Sequence, residues 1–124
     1  MKFTTTWKSS KKPSRQRKYR ANAPLHIKYN FVNAHLSKDL RTKYKKRSLA
    51  VRKGDNVKIM RGQFKNKQGK VERVSLKKTI VYINGIEVTK RDGTKALFPV
   101  DPSNLLVTEL NMDDKIRQKV IERK

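Results

Sequence analysis

Residues 51–75, reading VRKGDNVKIMRGQFKNKQGKVERVS, constrain the fold more than any other stretch of the chain. Val57 and Ile59 alternate with Asn56, Lys58 and Met60, and Val71 and Val74 follow Gly69, the period-two pattern of half-buried β structure. Gly54-Asp55 turns the chain into the first run. Gly62 ends that run and Gly69 opens the second, at positions where a Cβ would restrict close backbone approach or a positive φ. Between the two glycines lie Gln63, Phe64, Lys65, Asn66, Lys67 and Gln68: two cations, three amides and one aromatic ring. The stretch predicts a strand, a basic loop that faces nucleic acid, and a returning strand.

Composition supports that partner. The 124 residues suit one domain of usual size, but only 35% are hydrophobic and another 35% are charged, so the core is small and a sizeable internal active-site cavity is not expected. Lys and Arg number 33 against 10 Asp and Glu, a formal net charge of +23, whose self-repulsion a polyanion would relieve. Residues 1–50 hold fifteen of the cations and one acid, Asp39, which marks them as a basic arm. The absence of cysteine excludes a disulfide framework and Cys-ligated zinc or iron–sulfur, and is compatible with a reducing compartment. The first residues, MKFTTTWKSS, carry no apolar run of secretory type, and no stretch is long and apolar enough to span a membrane. The acid-poor start has some transit-peptide character, but its cations do not sit opposite an apolar face.

In chain order, residues 1–22 are polar and basic, with the cluster Lys11-Lys12-Pro13-Ser14-Arg15-Gln16-Arg17-Lys18-Tyr19-Arg20. Pro13 suits the first turn of a short helix with almost no apolar stripe, one that orders by laying cations along phosphates. Trp7 and Tyr19 either stack on unpaired bases or pack on a neighbouring protein surface. Leu25, Ile27, Tyr29 and Phe31 alternate with polar residues and predict a strand over 25–32 that starts after Pro24. Ser37 as N-cap and Asp39 in the first turn predict an amphipathic helix over Lys38–Arg47. Thr79–Ile83 reads as a strand closed by an Asn84-Gly85 turn. Two further runs flank Arg91-Asp92-Gly93-Thr94, and a 3₁₀ turn near Pro102 leads to a strand over 105–108. Five or six short strands at this spacing predict a small closed or nearly closed barrel, mainly β. Asp113 and Asp114 begin a C-terminal helix that carries Ile116, Val120 and Ile121 on one side and ends in Glu122-Arg123-Lys124. The expected division is a basic extension with short helices and a strand at 1–50, a barrel at 51–110 and a helix at 111–124.

Catalysis has little to stand on. The acids are scattered, and no nucleophile elbow, Walker loop or HExxH spacing occurs. His26 and His35 lie without a nearby Cys or carboxylate cluster, so neither metal site nor cofactor is expected.

The hairpin resembles the KOW motif, in which the first hairpin of an SH3-like barrel carries a glycine-bounded basic loop that contacts RNA. Arg52-Lys53-Gly54-Asp55-Asn56-Val57, Met60-Arg61-Gly62 and Lys67-Gln68-Gly69-Lys70-Val71 carry the likeness. The same residues also suit an ordinary solvated hairpin of a small barrel, and the flanks decide between them. Arg20 with Asn22-Ala23-Pro24-Leu25-His26, then Ala34-His35-Leu36-Ser37, Leu40-Arg41, Lys43-Tyr44 and Arg47-Ser48, with Asp92-Gly93 and Asp101-Pro102-Ser103-Asn104-Leu105 later, resemble the archaeal and eukaryotic form of the large-subunit ribosomal protein L twenty-four family (eukaryotic L twenty-six). The basic arm with a short, mixed-charge tail is similar to the archaeal form.

This resemblance implies a non-catalytic cytoplasmic subunit of the ribosome that binds the 5′ domain of large-subunit rRNA and acts early in assembly. It implies a place near the polypeptide exit tunnel, among other large-subunit proteins and factors that dock there. The RNA contacts it implies fall on Lys53, Arg61, Gln63, Lys65, Asn66, Lys67 and Lys70 of the motif and on Arg15, Arg17, Lys18, Arg20, His26 and Lys28 of the arm. The residue chemistry agrees, since cations hold phosphates while amides and guanidiniums read shape, 2′-hydroxyls and unpaired bases. Phe64 either stacks on a base or packs on its own hairpin. The rival reading is a KOW-containing transcription elongation or antitermination factor bound to RNA polymerase, but residues 1–50 are too basic and too poor in core residues to form the additional domain typical there. A peptide-binding SH3-like adaptor would need an aromatic groove, for which the barrel offers only Phe64, Tyr82 and Phe98.

Overall fold

The alternating segments join into one mixed seven-stranded sheet in the computed structural model, which describes residues 3–123. Met1 and Lys2 of the expected arm, and Lys124 at the expected end of the last helix, lie outside the described residues. A 3₁₀ turn at Thr5–Trp7 precedes α1 (Pro13–Asn22), α2 (Leu25–Phe31), β1 (Asn33–Leu36), α3 (Lys38–Tyr44) and β2 (Ser48–Ala50). Then come β3 (Asn56–Ile59), β4 (Gln68–Ser75), β5 (Ile80–Thr89), β6 (Lys95–Val100), a second 3₁₀ turn (Pro102–Asn104), β7 (Leu105–Glu109) and α4 (Lys115–Glu122). The strand order is β2-β1-β7-β3-β4-β5-β6, with β1 and β7 parallel and every other pair antiparallel.

The protein is mainly β with four helices, but the sheet does not close into the expected barrel. Among the described residues β2 and β6 end the sheet and do not pair with each other. The physical reason is β1: it pairs His35 with Leu106 and Leu36 with Val107, occupying the β7 edge that a closing strand would need. The sheet still curls, because the Phe98 ring of β6 packs 5.0 Å from Phe64 in the β3–β4 loop. The core between its faces holds Val57, Ile59, Val71, Val81, Ile83, Ile86, Leu105 and Val107, joined by Val32, Ala34 and Leu36 from the segment expected to be an extension. Each fully buried Val, Leu or Ile side chain among them is worth about 1.5–3 kcal/mol of transfer free energy.

Four local expectations are corrected, three here and the end of the third helix below. Residues 25–31 form a helix, not a strand. The Pro24 carbonyl accepts from Ile27 N and Lys28 N, both at 3.0 Å, and Ile27, Lys28, Phe31 and Val32 face inward at helical spacing. A strand would have buried Leu25 and Tyr29 alongside Ile27, yet they are 60% and 38% exposed. Asn84-Gly85 is no hairpin turn: β5 runs through it with a register shift against β6 between Tyr82 and Glu87, a bulge that bends the strand at Gly85, φ 79°. In α4, Ile116 is 68% exposed and Arg117 takes the inward position instead.

Helix boundaries elsewhere follow their caps. Pro13 starts α1, Ser37 Oγ accepts from Leu40 N at the head of α3, and Asp114 accepts from Ile116 N at the head of α4. The third helix stops at Tyr44 rather than Arg47 because Lys45 takes a left-handed φ of 53°, after which Arg47 O accepts from Leu36 N and β2 returns along β1. The last helix is held down by Arg117, whose guanidinium meets the carboxylate of Asp55 and the carbonyls of Asn111 and Ala50.

Candidate nucleic-acid interface

Residues 60–67 form a compact tip between β3 and β4, held by its own backbone. Asn66 N donates to Ile59 O at 2.8 Å, Ile59 N to Lys67 O at 2.9 Å and Lys65 N to Gly62 O at 3.1 Å, with Asn66 at φ 69°. Those bonds leave Arg61, Gln63, Lys65, Asn66 and Lys67 exposed together at the tip. The half-buried Phe64 packs within the chain: its ring centroid lies 5.0 Å from that of Phe98, the planes tilted by 58°, and Lys67 Nζ lies 5.2 Å from it. The ring therefore serves as the anchor from which the cations project.

Gly69 lets β4 pass β5 at close range. A Cβ there would lie 2.6 Å from Asn84 O and 2.7 Å from Ile83 Cγ2, one of them backbone, so only glycine fits. Beyond it Lys70 meets Lys53 across a cleft that also includes Glu72, Asn84 and Asn111. The motif cations thus form two groups, one at the tip and one at this cleft.

The arm carries a third group. Tyr19 packs between Phe3 at 5.2 Å and Phe31 at 6.2 Å, so its ring is used within the chain. Trp7 has Arg15 Cζ and Lys18 Nζ each 6.0 Å from its ring, and Arg20 Cζ lies 5.5 Å from Phe31. Arg15, Arg17, Lys18, Arg20 and His26 are exposed. Lys28 is different: it is 7% exposed, and its Nζ donates to Ala21 O at 3.1 Å and Lys77 O at 3.0 Å. It ties the arm to the turn between β4 and β5 and is not placed to touch a ligand. That tie brings Lys77 and Lys78, both exposed and not anticipated from sequence, beside the arm; a basic dipeptide in a turn is their only signal.

At the tip of the β5–β6 hairpin Asp92 Oδ1 accepts from Thr94 Oγ1 at 2.7 Å and Thr94 N at 3.0 Å. These bonds, the hydroxyl first, hold its carboxyl below its ordinary value of 3.8. Among the described residues no group of three or more His, Cys, Asp or Glu side chains gathers as metal ligands, and no helix is long and apolar enough to cross a membrane. The arrangement is suited to binding a polyanion through fixed cations interleaved with amides.

A family model described as "Ribosomal proteins L26 eukaryotic, L24P archaeal" matches residues 10–124. Large ribosomal subunit protein uL24 of Methanothrix thermoacetophila is 46% identical over 114 residues, which cover 92% of this chain and 98% of the relative. Large ribosomal subunit protein uL24 of Methanosphaera stadtmanae is 46% identical over 115 residues, 93% of this chain and 98% of the relative. With the basic hairpin, the arm and the later turns all inside the matched span, the chain belongs to the family of eukaryotic L26 and archaeal L24 ribosomal proteins.

Proposed function

We propose that this chain is a structural, non-catalytic RNA-binding constituent of the large ribosomal subunit, working in the cytoplasm within the ribosome. The observation that carries this reading is the match to relatives named as large-subunit proteins along nearly their whole length. The geometry supports it, because the same span presents exposed cations at the hairpin tip, the Lys53–Lys70 cleft and the arm. In this reading the sheet is an opened form of the SH3-like KOW barrel, and α1 and α2 are the part of the extension that stands outside it.

Affinity comes from Arg61, Lys65, Lys67, Lys53 and Lys70 on phosphates, with Arg15, Arg17, Lys18 and Arg20 doing the same along the arm. Gln63, Asn66 and His26 add donors and acceptors for 2′-hydroxyls and base edges. Lys28 acts indirectly, by fixing where the arm leaves the sheet. The family resemblance extends the proposal to the 5′ domain of large-subunit rRNA as ligand, to an early step of assembly, and to a site near the tunnel exit beside other ribosomal proteins. Sedimentation of the tagged chain through a salt-washed gradient tests the reading. The expected result is migration with large subunits; migration with RNA polymerase or at the top of the gradient overturns it.

A further inference from the structure

The cleft behind Gly69 has a chemistry that the cations alone do not explain. It encloses about 530 Å³, within the range of roughly 300–1,000 Å³ that holds small ligands. Two backbone bonds of 2.9 Å, Gly54 N to Val71 O and Val71 N to Asp55 O, lock the segment carrying Lys53 against β4. Exposed Lys70 and Glu72 flank the buried Val71 on β4, where the register against β5 shifts between Val71 and Arg73, and both line the cleft wall. The β5 bulge delivers exposed Asn84 to the same place. Asn111 is fixed there from both sides: its N–H donates to Asp55 Oδ1 at 2.9 Å and its carbonyl accepts from Arg117 Nη1 at 2.8 Å. Its own Oδ1 accepts from Asp113 N, which leaves the Nδ2 end to donate. Glu72 is exposed and makes no ion pair among the described residues, although the chain carries a net +23.

An acid without a partner beside two lysines is out of place on a surface that only holds phosphates, since it repels them. It suits a base that presents donors. We propose that this cleft holds one unpaired guanine nucleotide of RNA, with the phosphate on Lys53 and Lys70 and the base edge between Glu72 and the carboxamides of Asn84 and Asn111; the proposal rests on the RNA-binding reading above. Guanine offers two adjacent donors, N1–H and N2–H₂, to a carboxylate and one acceptor, O6, to an amide N–H. Uracil offers Glu72 a single donor, N3–H, flanked on both sides by carbonyl oxygens that the carboxylate repels. Unpaired bases splayed from the stack are the form in which proteins read Watson–Crick edges in RNA.

The test uses the full chain and two fluorescein-labelled RNA pentamers, UUGUU and UUUUU, with binding read by anisotropy and the side-chain amide resonances of Asn84 and Asn111 followed by NMR. The expected result is a preference of about fivefold or more for UUGUU, of the size one hydrogen-bonded base edge supplies. Both asparagine amide resonances then move with UUGUU and stay with UUUUU. Glu72→Gln and Asn84→Ala, both at exposed positions, each bring the ratio of UUGUU to UUUUU affinity to within about twofold of unity. Equal binding of the two pentamers, or a preference that survives both substitutions, overturns the guanine site and leaves the RNA-binding reading standing. Failure of the chain to bind either pentamer or any structured rRNA fragment overturns both.

Discussion

Asp55 and Arg117 lie 62 positions apart and meet as a bidentate ion pair, Nη1 to Oδ1 at 2.6 Å and Nη2 to Oδ2 at 2.7 Å, with side chains 0% and 3% exposed. The carboxylate also accepts from Arg52 N and Asn111 N, each at 2.9 Å, so one aspartate satisfies the turn before β3, the chain entering α4 and the helix itself. Arg52 pairs in turn with Asp114, the N-cap of α4. The motif that presents Lys53 is therefore built on the C-terminal helix, not beside it.

Breaking this pair from one side leaves the other charge buried and unpaired, which typically costs about 3–5 kcal/mol. Asp55→Ala and Arg117→Ala should both lower the urea midpoint accordingly. Arg117→Met should cost less than Asp55→Ala, because the apolar stem refills the space while Asp55 keeps its two backbone donors. Equal midpoints for wild type and Asp55→Ala would show that the pair does not anchor the helix.

Gly69→Ala places a methyl group 2.6 Å from Asn84 O, and backbone cannot step aside as a flexible side chain can. The expected loss is about 1–3 kcal/mol, the range for overpacking at a tight approach, measured by thermal melting. Lys70→Ala, next in sequence but exposed, should leave the melting temperature almost unchanged and so controls for the strand.

Deleting residues 1–22 removes α1, every residue of which except Tyr19 is exposed, so the sheet should melt nearly as before. RNA binding should weaken, and the slope of log K against log salt should flatten by about 0.7–0.9 for each phosphate that the arm no longer neutralises. Lys28→Met should leave the sheet intact while exposing residues 13–23 to protease, since Ala21 O and Lys77 O lose their shared donor. A truncated chain that fails to fold would show that the arm belongs to the core.

The hydrogen bonds to Asp92 give the hairpin tip a pH dependence whose sign follows from them. Its folded pKa is lowered, first by the Thr94 hydroxyl and then by the Thr94 amide, so the bonds stabilise the hairpin tip above the ordinary value of 3.8 and are lost as pH falls through the lower folded value. Carboxyl NMR titration should place Asp92 below 3.8, and Thr94→Val should return it toward that value. An Asp92 that titrates at or above the ordinary value contradicts the geometry.

The β3–β4 hairpin is legible in the sequence because its alternation and its two glycines agree on one register. Residues 25–31 mislead, since Leu25, Ile27, Tyr29 and Phe31 alternate by chance, while the buried polar residue that reveals the helix, Lys28, looks like one more surface cation. The four-residue β1 and three-residue β2 are too short to show a period, and β1 gains its place from parallel pairing with β7 far along the chain. Asn84-Gly85 carries the local chemistry of a turn, but β5 pairs with β6 on both sides of it, so tertiary pairing overrides that preference. Arg117 shows no sign of burial except that it precedes the inward Ile121 by one helical turn. The exposed site cations are readable as a class, whereas which of them gather at the cleft depends on Gly69 and the bulge.

Specific recognition of RNA by a fixed cationic surface has a signature in its salt dependence. Binding of the full chain to a fragment of the 5′ domain of large-subunit rRNA, and to an unrelated structured RNA of equal length, should be measured from about 50 to about 500 mM salt. Counterion release weakens both, and the rRNA fragment should keep at least a tenfold advantage at high salt, worth about 1.4 kcal/mol. Curves that coincide across the whole range would contradict it.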